Sequence, residues 1–190
     1  MILPLPYAPA PLLDQPHDHE LTQLAMGLRR VVKREFATAQ RLADMRALGW
    51  YVQVVEGTYG VDTESADLRH GDGDFCTAYF GERSAVEKAC DLELVERHGR
   101  GSKRRDAMVQ LGTLLGYPAC CTEAYVAQAQ QDETASYARL FETGPWVNAP
   151  RWNNLFVLSH ALISHFPCSL ACERSAELAG TTWSRLAATD

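Results

Sequence analysis

The sequence predicts an α+β fold, a mostly helical single domain with a small sheet near residues 49–81. Three observations carry this. Two short β-branched and aromatic runs, Trp50-Tyr51-Val52-Gln53-Val54-Val55 and Phe75-Cys76-Thr77-Ala78-Tyr79-Phe80, each end at a glycine. Apolar residues recur at three- and four-residue steps through residues 21–48. After Gly81 the same helical period continues almost to the end of the chain. Period two with β-branching marks strands, and period 3.6 marks helices buried on one face.

Taken in order, residues 1–16 hold five of the nine prolines, at positions 4, 6, 9, 11 and 16. Proline lacks the amide hydrogen and clashes with the preceding helical turn. Residues 1–18 are therefore expected to form an extended arm on the domain or on a protein partner, with residues 19–190 as the single domain. From Leu21 the pattern Leu21, Leu24, Leu28, Val31, Val32, Phe36, Ala39, Leu42 predicts one long helix or two in succession. Arg29, Arg30, Lys33 and Arg34 fall on its complementary face. The strand at 50–55 closes at Glu56-Gly57, and the polar, Gly- and Asp-rich stretch 58–74 reads as a loop. The strand at 75–80 completes a sheet of at least two strands. Helices are expected over about 83–98, 102–115, 118–130, 133–142, 153–164 and 167–187. The break Gly144-Pro145-Trp146-Val147-Asn148-Ala149-Pro150 divides the fourth from the fifth.

Composition narrows the function classes. The chain has 190 residues, 46 % of them hydrophobic, enough to bury a core without a metal or disulfide staple. Its 24 acidic and 18 basic residues give a net charge of -6, which repels phosphate backbones and argues against nucleic acid. No apolar run approaches the roughly 20 residues needed to span a bilayer. The N-terminus lacks the basic start of a signal peptide, its first basic side chain being Arg29. A cytoplasmic protein without a membrane segment is expected. In a reducing compartment its six cysteines are metal ligands, redox thiols or small core residues rather than structural disulfides.

Four of those cysteines form two pairs in matched contexts. Cys120-Cys121 follows Gly116-Tyr117-Pro118-Ala119, and Cys168-Ser169-Leu170-Ala171-Cys172 follows His165-Phe166-Pro167. Each context is an aromatic residue and a proline ahead of a cysteine pair. Proline is favoured at the first helical position, so each pair is expected in the opening turns of a helix. There the dipole and free amide groups favour the thiolate that binds metal. On a helix Cys168 and Cys172 share a face, while adjacent Cys120 and Cys121 diverge. Divergent thiolates suit an iron–sulfur cluster, with several metal corners, better than one tetrahedral zinc. The spacing favours a 4Fe-4S cluster and leaves zinc as the alternative. Core packing and a redox dithiol are the remaining readings. Cys76 and Cys90 sit where their elements want apolar side chains and read as core.

Between the pairs, Arg151, Asn153 and Asn154 crowd a proline-broken loop and suit a carboxylate or amide ligand. For Asn153 a helix N-cap is an equally good reading. His165, three residues before Cys168, is a candidate proton donor or further ligand. Cys121 is a candidate active thiol.

At these residues the chain resembles a family of uncharacterised archaeal and bacterial proteins, a domain of unknown function. The shared motifs are Leu115-Gly116-Tyr117-Pro118-Ala119-Cys120-Cys121, Asn153-Asn154-Leu155 and Pro167-Cys168-Ser169-Leu170-Ala171-Cys172. The resemblance covers roughly residues 75–180 and implies no reaction. The chain is also similar, more weakly, to the cysteine-rich domains of heterodisulfide reductases, where a vicinal pair and a later pair bind iron–sulfur clusters. It departs from them in having three residues inside the later pair and no matching upstream cysteine. The expected protein is an iron–sulfur enzyme acting on a small polar, biosynthetic molecule at an open cluster site. Lyase, sulfur-transfer or redox chemistry would suit that site, with Cys120, Cys121, Cys168 and Cys172 as ligands. The alternative is a non-enzymatic, zinc-stabilised protein-interaction module.

Overall fold

The computed structural model describes residues 19–61, 68–70, 73, 75–129, 163, 165, 167–169 and 171–186. The fold is α+β and mostly helical, with one four-stranded antiparallel sheet. The chain divides into two compact units, Met1–Arg29 with Gly116–Asp190, and Arg30–Leu115.

The second unit holds the sheet. Its elements are β1 (Val31–Thr38), α2 (Ala39–Ala47), β2 (Tyr51–Val61), β3 (Leu68–His70), β4 (Phe75–Gly81), α3 (Arg83–His98) and α4 (Gly101–Leu114), α1 being the N-terminal helix of the other unit. The strand order is β1-β4-β2-β3. β4 is central and pairs with both β1 and β2, so Gly81 faces Val31 on one side and Tyr51 on the other. Alternation sends Cys76 and Ala78 to one face, where they pack with Ala37, Leu42, Val52 and Val54. Thr77 and Tyr79 take the other face and bond to α3 through Arg97 and Glu93. α2 and α3 thus cover opposite faces, and β4 is buried from Cys76 through Gly81. α3 buries Ala85, Val86, Ala89, Cys90 and Glu93, one helical stripe.

Glu93 is the charged member of that stripe and has its partners. It accepts from the Tyr79 hydroxyl at 2.6 Å and pairs with Lys33 at 3.0 Å and Arg97 at 2.8 Å. Burial alone would raise its carboxyl. The two cations and the tyrosine prevail and hold it below the ordinary glutamate range.

The cysteine-bearing unit contains α1 (His19–Ala25), α5 (Ala119–Ala129) and α6 (Glu173–Leu186). Gln23 of α1 donates to Thr182 of α6 at 2.7 Å, both fully buried. This one bond joins residues 159 positions apart.

The strands at 50–55 and 75–80 and the helix at 83–98 match their sequence reading. Three segments do not. Residues 31–38, read as helix, form β1. Gly27 takes φ +69 and its amide bonds back to Leu24, ending α1 in a left-handed cap. The chain can then re-enter as a strand, because Val31 and Val32 are β-branched and find an open edge of β4. β2 runs past Gly57 to Val61, and β3 pairs with its extension inside the expected loop. The helix expected from 167 begins only at Glu173. The arm at 1–18 and the helices expected at 133–142 and 153–164 lie outside the described residues.

Candidate metal centre

The two cysteine pairs are held by different local geometry. α5 opens after Tyr117-Pro118, and the Pro118 carbonyl accepts from the amides of Cys121 and Thr122 at 2.9 and 3.0 Å. Proline has no amide to leave unmet there. Cys120 and Cys121 therefore occupy the first turn, as their sequence context predicts. The second pair corrects the prediction. Cys168 lies on a bend and Cys172 directly precedes α6, so the two do not share a helical face. The turn closes through the Cys172 amide, which donates to the Ser169 carbonyl at 3.1 Å. Cys172 takes the N-cap position, and its carbonyl accepts the Ala176 amide at 3.0 Å.

These two starts bring all four thiols together across the 46 residues between Cys121 and Cys168. The Sγ atoms of Cys121 and Cys172 are 3.5 Å apart, those of Cys120 and Cys172 3.8 Å, and those of Cys120 and Cys121 3.9 Å. All four lie within 4.8 Å of one another, and the set can hold a metal ion. Cys121 and Cys172 are buried, while Cys120 and Cys168 are exposed. Cys76 and Cys90 are also buried and stand in the other unit, as core residues.

The surroundings treat the thiols unequally. Burial pushes the Cys121 thiol well above its ordinary value, although Ser175 and the Cys168 amide supply bonds that favour its thiolate. Although Cys168 is exposed, partial desolvation of its sulfur raises it to about 11, helped by the neighbouring sulfurs of Cys172 and Cys120. At Cys172 burial is outweighed by the Ser175 hydroxyl and backbone and by donation from Cys121 and Cys168, which bring it down to about 7. A cation bound by these sulfurs would displace the protons that the thiols carry.

A second layer of buried polar groups backs Cys121. The Ser175 hydroxyl lies 3.3 Å from its sulfur, and the Cys168 amide donates to the same sulfur at 3.3 Å. His165 Nε2 lies 2.8 Å from the Ser175 hydroxyl. The His165 ring meets Tyr117 with centroids 5.3 Å apart, and the Arg29 guanidinium stands 5.5 Å from the Tyr117 ring centre. Arg29 Nη1 completes the series with a 2.9 Å bond to Glu20, both side chains nearly inaccessible at 1 % and 6 %. Burial, reinforced by the Arg29 charge, lowers His165 to about 4, so the imidazole is neutral at physiological pH.

Candidate residues fare differently. His165 is one bond removed from the thiols, through Ser175. Arg151, Asn153 and Asn154 lie outside the described residues. The sequence reading missed Ser175, Glu20 and Arg29. No local pattern marks Ser175, because the helix start at Cys172 that positions it differs from the one expected at 167. The helical period puts Arg29 on the face complementary to the apolar stripe, yet the side chain is buried. No local pattern marks it, because its burial depends on Tyr117, far along the chain.

The model of a family described as a protein of unknown function (DUF483) matches residues 83–185, more than half the chain. The chain belongs to this family. The DUF483 segment includes the four cysteines, Tyr117, His165 and Ser175, and leaves Glu20, Arg29 and all four strands outside. No curated protein and no solved structure matches the chain.

Proposed function

We propose that Cys120, Cys121, Cys168 and Cys172 bind a single metal ion, zinc in the first instance, as a four-thiolate centre. The centre would clamp the start of α5 to the turn before α6. The sulfur spacing carries this reading. Tetrahedral zinc–thiolate bonds of about 2.3 Å place neighbouring sulfurs roughly 3.8 Å apart, close to the three separations above. A four-iron cluster spreads its thiolates over four metal corners and needs them wider. The vicinal pair favoured the cluster only while both cysteine pairs were read as ordinary helical residues. With Cys172 at an N-cap and Cys168 on a bend, the later pair reaches back to the divergent one.

Four protein ligands leave no open position, which suits a stabilised binding module better than a catalyst. In that role the proline-rich arm would engage a protein partner. A second reading retains an enzyme on a small polar, biosynthetic substrate. It is favoured by the exposure of Cys120 and Cys168, either of which can give up its place on the ion. Anaerobic purification followed by metal and sulfide analysis separates these readings. One zinc per chain in a colourless solution supports the clamp. A brown protein with iron and acid-labile sulfide restores the cluster. Retention of the ion by Cys120→Ser or Cys168→Ser would favour a labile ligand and the enzyme.

A further inference from the structure

Arg29 is the buried charge whose bonding is incomplete. Nη1 is engaged by Glu20, but Nε and Nη2 are shut off from solvent and meet no acceptor among the described residues. These two nitrogens form one edge of the guanidinium, with parallel N–H bonds that match the two oxygens of a carboxylate. Tyr117 offers this group π density, not a directed acceptor. His165, whose ring also meets Tyr117 and lies close enough to feel the Arg29 charge, has its Nδ1 likewise buried and without a partner among the described residues. Its role follows from the bonds beyond it. With Cys121 held as a metal thiolate, Ser175 donates to the sulfur and accepts from His165 Nε2–H, leaving a lone pair on Nδ1. The unmet groups are therefore a two-donor fork and one acceptor.

We propose that Arg29 and His165 form a buried binding site for a small carboxylate that carries a hydroxyl or amine donor. The carboxylate takes the Arg29 fork, and the donor takes His165 Nδ1. Glu20 already balances the Arg29 charge, so recognition rests on the fork geometry more than on net attraction. The Arg29 half stands without the metal centre, while the His165 half rests on it.

The test uses the full-length chain with its metal content measured in every sample. Acid extracts of purified protein are analysed for carboxylates by mass spectrometry. The protein is then titrated with glycolate, acetate and phosphate at constant ionic strength while thermal unfolding is followed. A ligand specific for the folded state raises the melting temperature with concentration. A stoichiometric small carboxylate in the extract, or a saturable rise with glycolate, supports the site. Glycolate should bind about fivefold to tenfold more tightly than acetate, the worth of one added hydrogen bond. Arg29→Lys, which keeps the charge beside Glu20 and loses the fork, should abolish both responses. His165→Phe should erase only the glycolate advantage, which locates the site even if Arg29→Lys does not fold. No carboxylate in the extract and no rise would overturn the proposal, leaving buried water as the partner. A stronger response to phosphate than to either carboxylate would also overturn it. A carboxylate response in protein that binds no metal would sink the metal reading and keep the Arg29 fork.

Discussion

Ser175 and Glu93 show how much one side chain can decide. Ser175 bonds to the sulfur of Cys121 and, through His165, connects that thiol to the buried Arg29 layer. Groups that orient a ligand without touching the ion commonly set affinity by about 10–100-fold. If the four thiolates hold zinc as proposed, Ser175→Ala should weaken its binding by that order, measured by chelator competition, with one site per chain retained. Glu93 governs a different property. Its native carboxyl is held below the usual range, so the group stabilises the fold above the unfolded glutamate value, near pH 4. That contribution is lost as pH falls through the native value. Glu93→Gln should cost about 1–3 kcal/mol at pH 7, discounted because Lys33 and Arg97 can reach solvent. The difference should shrink below about pH 4, as read from denaturant midpoints over a pH series. A constant difference would show that Glu93 acts through packing alone.

At the scale of elements, β4 and its ends organise the sheet unit. Gly81 takes φ +143 where β4 meets both neighbours, and an added Cβ would lie 2.3 Å from the Arg30 carbonyl oxygen. That neighbour is backbone, held by its bond from the Glu82 amide at 2.9 Å, and cannot swing away. Gly81→Ala should therefore destabilise the protein by about 2–4 kcal/mol, through backbone strain and a steric clash. Thr38 makes a useful contrast. Its hydroxyl caps α2 by accepting the Arg41 amide at 3.3 Å, and Thr38→Ala should cost only about 1 kcal/mol. Reversal of that order in urea unfolding would mean that β1 and β4 can separate at little cost. These two sites also show what was legible locally. The strand at 75–80 and its terminal Gly81 could be read directly, because burial on both faces leaves a short apolar run bounded by glycine. β1 could not, since Val31 and Val32 fit a helical stripe as well as a strand until β4 is there to pair with.

For the whole molecule, the two compact units predict an uneven response to losing metal. All four thiols belong to the unit formed by Met1–Arg29 and Gly116–Asp190, and none belongs to Arg30–Leu115. In the proposed centre, removing the ion should leave four crowded thiols, in the first turn of α5 and ahead of α6, without their common partner. Hydrogen exchange after chelation should quicken in α1, α5 and α6, while β1, β4 and α3 keep their protection. Uniform loss of protection would mean that the units fold as one cooperative body. Among the described residues no helix is long and apolar enough to cross a membrane.

What the sequence by itself determined is local: the helix at 83–98, the strands around Val54 and Ala78, the proline-led start of α5, and the identity of the four cysteines. Each rests on periodicity, a capping residue or a matched motif within a few positions. Tertiary structure alone decided the rest. It turned Val31–Thr38 into a strand, placed Cys172 at an N-cap, and drew the four cysteine sulfurs to within 4.8 Å of one another. It also buried Arg29 against Glu20 and Tyr117. The physical reason is common to all four. A β-edge, a shared ligand geometry and a buried charge become favourable only when a distant segment supplies the missing partner, and the spacing along the chain does not encode which segment that will be.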